Sequence, residues 1–196
     1  MQSKTSYHHG NLKQALIEAG IEIVNESGET GLSLRKAAAR CGVSSAAPYA
    51  HFASKEDMIK AMQDHVTEKF MEYVKDAMAA YEDPYTEKGI VCFGRSYIRF
   101  FLENPNYFTF LFSQSCMKVN LSEVTAEQTD NFPPYEYFRK QLLEYNRRNH
   151  NEMSADEQEF QIIRLWSTAH GIAAVATMKN VTWDKKWEEQ LEHLLF

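Results

Sequence analysis

The sequence predicts an all-α protein of about nine helices, with a three-helix N-terminal domain followed by a larger C-terminal helical bundle. Two short apolar repeats meet at a glycine near residue 42, which is typical of a tight turn between two helices. Elsewhere apolar residues repeat at i, i+3, i+4 and i+7, and helix-capping residues separate these runs. The 196 residues, 44% of them hydrophobic, suffice for one compact unit or two small ones.

The first two helices are predicted from their apolar faces. The first ends near Ser27-Gly28, and the second ends at Gly42, where a left-handed residue commonly stops a helix. Their apolar residues are Leu12, Ala15, Leu16, Ala19 and Ile23 in the first helix, and Leu34, Ala37, Ala38 and Cys41 in the second.

A third short helix is expected after Ser44, which is a good N-cap. Within it Pro48 would forfeit one backbone hydrogen bond. Its spacing places Val43, Ala46, Ala47 and Ala50 inward, and Ser45, Pro48 and Tyr49 outward.

Five longer helices follow, predicted at about 54–81, 86–103, 132–149, 154–178 and 183–196. Asn104-Pro105 ends one of them because a residue before proline resists helical dihedrals, and Ser154-Ala155-Asp156-Glu157 is a capping box. A short aromatic segment is expected at 106–113 and a polar loop at 119–131.

Charge is distributed unevenly along the chain, whose net charge is -6. Residues 1–60 hold seven basic and six acidic side chains, a balance of +1, which leaves -7 for the remainder. Arg35, Lys36, Arg40 and Lys55 cluster around the two short helices, so a local basic surface on an acidic protein is predicted. With neither an apolar signal region nor a run of about 18 apolar residues, we expect a cytoplasmic protein with no membrane partner.

The order of turn, caps and the Tyr49-x-His51-Phe52 end, followed by Ser54-Lys55-Glu56, resembles the tetracycline-repressor (TetR) family of bacterial transcriptional regulators over roughly residues 9–69. The resemblance implies a flexible arm at 1–9, a DNA-binding domain at 10–69 with its helix-turn-helix at about 33–52, and a ligand-binding and dimerisation domain at 70–196. It places Ser44, Ser45 and Ala46 near base edges in the major groove. Phosphate contacts would come from Ser33, Arg35, Tyr49, His51 and Lys55.

The spacing Trp166-x-x-x-His170-Gly171 resembles a C-terminal domain of one TetR subfamily, called the WHG domain. The resemblance implies a hydrophobic effector pocket, for which the candidate residues are Phe93, Tyr97, Phe101, Phe108, Phe112, Met117, Tyr137, Trp166 and His170. It also implies a homodimer built on the last two helices, with Gly171, Ala174, Val175, Trp187 and Leu191 as candidate interface residues.

These features predict a repressor whose dimer binds a palindromic double-stranded DNA operator and is released by a small hydrophobic or aromatic ligand. The sequence has no phosphate loop, zinc spacing or nucleophile in a recognisable setting, and His8-His9 has no third ligand, so we expect no enzyme activity, cofactor or metal. Two alternatives stay open. One is an all-helical carrier or enzyme that keeps the scaffold, and the other is an activator of the same family.

Overall fold

The computed structural model describes residues 12–114, 119–121 and 132–195, and the regular structure within these ranges is entirely helical, which confirms the predicted fold class. None of the described helices is long and apolar enough to cross a membrane. The helices are α1 (Leu12–Gly31), α2 (Leu34–Arg40), a 3-10 helix (Ala47–Ala50), α3 (Lys55–Met78), α4 (Glu87–Glu103), α5 (Pro105–Thr109), a π-helical turn (Phe110–Gln114), α6 (Pro133–Arg148), α7 (Ala155–Thr177) and α8 (Trp187–Leu195).

The chain divides into two compact units. The N-terminal unit contains the described residues 12–66 and 109–114, and the C-terminal unit contains 67–108, 119–121 and 132–195. The division therefore falls inside α3, while the π-helical turn returns to the N-terminal unit, a grouping that the sequence pattern did not indicate. The arm expected at 1–9 lies outside the described residues.

The core of the N-terminal unit is built from one face of each helix. Phe110 and Leu111 of the π-helical turn are almost fully buried in this unit, where the turn packs against α1. The other large buried side chains are Leu16, Ile17, Ile21, Ile23 and Val24 of α1, Leu32, Leu34 of α2, Phe52, and Met58, Met62 and Val66 of α3.

The turn after α2 has the predicted left-handed glycine, since Gly42 has a φ of 69°. The amide of Val43 donates to the carbonyl of Ala38 at 3.0 Å, and the amide of Gly42 donates to the carbonyl of Ala39 at 3.1 Å. These two bonds are a Schellman motif, which satisfies carbonyls that the end of α2 would otherwise leave unpaired.

The third short helix differs from its prediction. It is a single 3-10 turn over Ala47–Ala50, and its buried residue is Pro48, whereas Ala46 and Ala50 are exposed. The prediction was therefore wrong for Ala46, Pro48 and Ala50, whereas Ser45 and Tyr49 are exposed as predicted. A 3-10 turn has fewer internal amide bonds than an α-helix, so a proline without an N–H fits it at less cost, and the tighter winding rotates the ring into the core.

The C-terminal unit is organised around α4, which contacts α6, α7 and α8. Phe70 of α3 is completely buried against α4. Its ring packs edge-on against Phe93 and Tyr97 at centroid distances of 6.0 and 5.6 Å and stacks on Phe101 at 5.7 Å. Aromatic pairs in these geometries are more favourable than their area burial alone provides.

The ends of the longer helices follow local signals, with one exception. Thr86 caps α4 through Gly89 N–H, and the Ser154 and Glu157 capping box begins α7 as predicted. The last helix begins at Trp187 and not near residue 183, because its acidic first turn, Glu188-Glu189, favours a helix N-terminus there. Trp183 instead packs edge-on against Trp187 at 4.5 Å.

We expect Phe70→Ala to lower the free energy of unfolding by about 3–5 kcal/mol, because it removes a fully buried ring and leaves a cavity between α3 and α4. Phe70→Leu, which keeps most of the volume, should cost less. Urea unfolding followed by circular dichroism measures both, and equal midpoints for Phe70→Ala and the wild type would contradict this role.

Replacing Gly42 should strain the helix-turn-helix without any steric clash, since a Cβ there would meet no atom within 4 Å. We expect Gly42→Ala to destabilise the protein by about 1–2 kcal/mol through its positive φ alone. Gly42→Asn, which tolerates the left-handed region better, is the control and should cost less. A stabilised Gly42→Ala variant in thermal unfolding would show that the turn does not hold this conformation in solution.

Candidate functional site

The loop and 3-10 helix after Gly42 expose a contiguous polar surface. Ser44, Ser45 and Ala46 are exposed, and 55% of Tyr49 is accessible, while Pro48 and Phe52 face the core. In the described part of the chain neither serine hydroxyl nor the Tyr49 hydroxyl has a hydrogen-bond partner. Short hydroxyls, a methyl group and a phenol are therefore presented together to an external partner.

Two of the four basic residues near this surface are engaged within the N-terminal unit. Lys36 Nζ donates to the carbonyl of Gly31 at 2.8 Å. Arg40 donates to the carboxylates of Glu22 and Glu26 on α1, and the hydrogen bond from Arg40 lowers the pKa of Glu26. Arg35 and Lys55 are the two left available to an anion.

The remaining predicted contact residues occupy the ends of α2 and α3. Ser33 Oγ accepts from Lys36 N–H at 3.2 Å, so the hydroxyl proton is left to donate elsewhere. His51 is exposed, and its ring lies tilted against Phe52. At the start of α3, Asp57 accepts from Ala53 N–H at 2.9 Å and its own amide donates to Ser54 Oγ. Because this carboxylate already occupies the helix N-terminus, the Lys55 ammonium is the stronger anion contact there.

A small apolar cavity of about 30 Å³ lies between α4, α6, α7 and α8 in the C-terminal unit. Of the predicted pocket residues, Phe93, Tyr97 and Trp166 line it. Phe101 and Phe108 are buried in the aromatic core, Tyr137 lies on a separate surface groove, Phe112 belongs to the N-terminal unit, and Met117 lies outside the described residues. Sequence reasoning missed Phe138, Leu165 and Ala169 in the cavity wall, although Ala169 repeats the helical spacing of Trp166.

A hydrogen bond between α4 and α7 lies beside this cavity. Tyr97 Oη and His170 Nδ1 are 2.8 Å apart. The ring of Trp166, one helical turn before His170, lies 5.7 Å from the imidazole ring. The tryptophan and histidine of the Trp166-x-x-x-His170 spacing therefore both pack near a single buried phenol of α4.

Burial favours the neutral forms of both Tyr97 and His170. Desolvation raises the pKa of Tyr97 and lowers the pKa of His170. A neutral imidazole can accept the Tyr97 proton at Nδ1, whereas an imidazolium cannot. The polar groups at the cavity are therefore satisfied without a charge.

The predicted interface residues lie on two different sides of their helices. Gly171 and Val175 of α7 are exposed, and a Cβ at Gly171 would meet nothing within 4 Å. Ala174 and Trp187 are half-buried, whereas Leu191 is buried within its own unit. One exposed stripe runs along α7 and its C-cap through Phe160, Arg164, Ser167, Gly171, Val175 and Met178, with Phe160 65% and Met178 55% accessible.

No group of three or more His, Cys, Asp or Glu side chains within residues 12–114, 119–121 and 132–195 is arranged to hold a metal ion.

The lowered pKa of His170 predicts a dependence of stability on pH. Above the unfolded-state pKa of about 6.5, His170 is neutral in both states and its hydrogen bond is fully present. Below that pH the unfolded chain binds the proton first, so stability falls with decreasing pH. Urea unfolding between pH 7.5 and 5.5 should show a shallower fall for His170→Gln than for the wild type. The exposed His193→Gln is the matched control, and identical pH profiles for His170→Gln and the wild type would refute the assignment.

Residues 16–62 match the family model of bacterial regulatory proteins, tetR family. No curated protein matches the sequence. Several solved structures share the fold over nearly the whole chain. The fatty acid degradation regulator FadR from Bacillus halodurans has a TM-score of 0.70 at 13% identity, covering 98% of this chain and 95% of its own.

Two further structures of regulators are similar. The TetR family transcriptional regulator PfmR from Thermus thermophilus has a TM-score of 0.62 at 17% identity, covering 91% of this chain and 93% of its own. FadR from Bacillus subtilis, solved in complex with stearoyl-CoA, has a TM-score of 0.63 at 13% identity, covering 93% of this chain and 95% of its own. Identities this low show a shared fold, and the family model covers the helix-turn-helix itself. This chain is therefore similar to the tetR family of bacterial regulatory proteins over residues 16–62, and it shares the fold of these regulators over nearly its whole length.

Proposed function

We propose that this protein is a homodimeric repressor that reads an inverted-repeat DNA operator and releases it when a small hydrophobic ligand binds the C-terminal unit. The observation that carries the proposal is the surface at Ser44, Ser45, Ala46 and Tyr49, which is exposed within the segment that the tetR family model matches. A surface whose polar groups have no internal partner is available to base edges and phosphates.

Base recognition would come from the short side chains of this surface. Serine hydroxyls can donate to or accept from several bases, and the Ala46 methyl can contact a thymine methyl. Arg35, Tyr49, His51 and Lys55 would contact phosphates and supply most of the affinity, which makes binding dependent on salt. Arg40, which the pattern grouped with them, instead fastens α2 to α1 and positions the surface.

Dimer formation is supported by the exposed stripe on α7. A second copy of the chain is a fitting partner because Gly171 and Ser167, in the middle of the stripe, let a helix backbone approach closely, while Phe160, Val175 and Met178 supply apolar area. Two copies would present two reading surfaces, which suits half-sites about one DNA turn apart.

The effector would enter the apolar cavity lined by Phe93, Tyr97 and Trp166. A cavity of 30 Å³ is much smaller than the roughly 300–1,000 Å³ of an ordinary ligand pocket, so a ligand must displace helices to enter. The acyl chain of stearoyl-CoA, bound by the similar B. subtilis FadR, is an example of a hydrophobic ligand. Ligand entry and helix movement would therefore be one coupled event.

Two segments would carry that movement along the chain. Helix α3 has residues in both units, and the π-helical turn packs in the N-terminal unit while following α5 directly. A displacement of α4 and α5 would pull on both segments and change the separation of the two reading surfaces in the dimer. The ligand must bind the released state more tightly than the DNA-bound state, or it shifts nothing.

Selection from a random duplex pool tests the reading function for any operator sequence. The full-length protein is incubated with the pool, bound duplexes are amplified, and successive rounds are sequenced. We expect enrichment of an inverted repeat with half-sites about one helical turn or a multiple of it apart. A pool that stays unenriched would refute specific DNA reading.

With the selected duplex, Tyr49→Ala and Lys55→Gln should each weaken binding about tenfold because each removes one phosphate contact. Fluorescence anisotropy at several salt concentrations measures the loss, and for Lys55→Gln the slope of log K against log salt should fall by about 1. Lys69→Gln, an exposed lysine farther along α3, is the matched control. Wild-type affinity in both variants would show that this surface does not contact the DNA.

A charge placed on the α7 stripe should prevent association. We expect Val175→Glu to sediment as a monomer at concentrations where the wild type is a dimer, because the interface would bury an unpaired carboxylate at a cost of several kcal/mol. Lys69→Glu introduces the same carboxylate on α3 and should remain dimeric. Sedimentation velocity distinguishes monomer from dimer. A dimeric Val175→Glu would show that the α7 stripe is not the dimer interface.

A further inference from the structure

An open groove on the C-terminal unit lies apart from the apolar cavity. It runs along α6 beside the loop that precedes α4 and has a volume of about 820 Å³. Aromatic and cationic side chains dominate its wall: Tyr85, Tyr137, Arg139, Lys140, Arg147 and Arg148. A volume of this order is within the range of small-molecule sites.

The groove concentrates positive charge on an acidic protein. Four of its lining residues are cationic and two, Glu136 and Glu144, are acidic, whereas the whole chain carries a net charge of -6. Glu144 is bound by both Arg147 and Arg148 at 2.7 Å, and these hydrogen bonds lower its pKa to about 2. Its carboxylate therefore stays ionised and fixes the two guanidinium groups in place.

Two cations retain unused donors. Arg139 is buried, with 6% of its surface accessible, yet among the described residues it donates only to Glu136, one turn back on the same helix, through Nη1 at 3.2 Å. Lys140 beside it is exposed and has no ion-pair partner in the described part of the chain. A buried guanidinium with one partner is incompletely compensated, and a second anion in the groove would complete its hydrogen bonding.

The aromatic walls are held rigidly. Tyr137 stacks on Phe93 at 5.9 Å with an interplanar angle of 22°, and the Arg148 guanidinium lies 4.7 Å over the ring of Tyr85. Gln141, which is almost fully buried, donates to the carbonyl of Pro84 at 2.6 Å and so anchors the loop that carries Tyr85. Fixed rings lose little entropy when they pack against a flat ligand.

We propose that this groove binds a planar aromatic molecule that carries an oxyanion, either a carboxylate or a phosphate. Arg139 and Lys140 hold the oxyanion, and the rings of Tyr85 and Tyr137 pack against the ligand. This goes beyond the proposed function, because binding here requires neither DNA nor the apolar cavity. Phe93 nevertheless belongs to both places, since it lines the cavity and stacks on Tyr137.

Isothermal titration calorimetry of the full-length protein with three matched probes tests the site: 1-naphthyl phosphate, 1-naphthoate and neutral 1-naphthol. We expect at least one of the two anions to bind about tenfold or more tightly than the alcohol, and the tighter of the two identifies the oxyanion. Inorganic phosphate alone should bind at least tenfold more weakly than the preferred anion, since it lacks the ring. Equal affinities for the three naphthyl probes, or no binding by any of them, would overturn the proposal.

Variants locate the site and separate it from folding. Lys140→Gln, at an exposed position, should weaken binding of the preferred anion about tenfold and leave 1-naphthol unchanged. Arg139→Gln should weaken it at least as much, and circular dichroism shows whether that buried substitution still folds. Lys69→Gln is the control and should bind as the wild type does. Unchanged anion affinity in Lys140→Gln would place binding elsewhere and refute the assignment.

Discussion

Burial of aromatic rings around Phe70 is the constraint on which the C-terminal unit depends. Helix α4 turns Phe93, Tyr97 and Phe101 toward this ring, and their packing fixes the rotation of α4 about its own axis. That rotation determines which side chains of α4 face α6 and α7. Tyr97 reaches the hydrogen-bonding groups of α7, and Phe93 reaches the rings of α6. The positions of the cavity and the groove therefore both depend on how α4 packs against its neighbours.

The N-terminal unit separates its buried side from its reading side within a few residues. The Schellman bonds end α2, and Pro48 and Phe52 bring the next turn down onto the core. The residues between the end of α2 and Pro48, together with Tyr49, stay on the surface, because a 3-10 turn is too short to bury a second face. Ion pairs distinguish the basic residues of this unit. Arg40 is paired with carboxylates of α1, whereas Lys55 remains available to an external anion.

The two candidate ligand places of the C-terminal unit differ in chemistry. The cavity is small and apolar, and the Tyr97–His170 hydrogen bond beside it joins two neutral groups, so a ligand there gains mainly from burial. The groove is open and cationic, and Arg139 within it is only partly hydrogen-bonded, so a ligand there gains mainly from charge. Phe93 forms part of the cavity wall and supports Tyr137 in the groove, so a shift of this ring alters both.

The sequence by itself determined what depends on neighbouring residues: the all-α class, the left-handed Gly42, the start of a helix near Thr86 and the capping box at Ser154. These are local, because a cap or a positive φ involves residues within one helical turn. Periodicity alone misassigned Pro48, and no pattern indicated that the turn at 110–114 packs with the N-terminal unit. The hydrogen bond between Tyr97 and His170 and the pairing of Arg40 with α1 likewise emerged only in three dimensions. Such contacts join residues far apart in the chain, and burial and hydrogen-bond partners follow from the packing of whole helices.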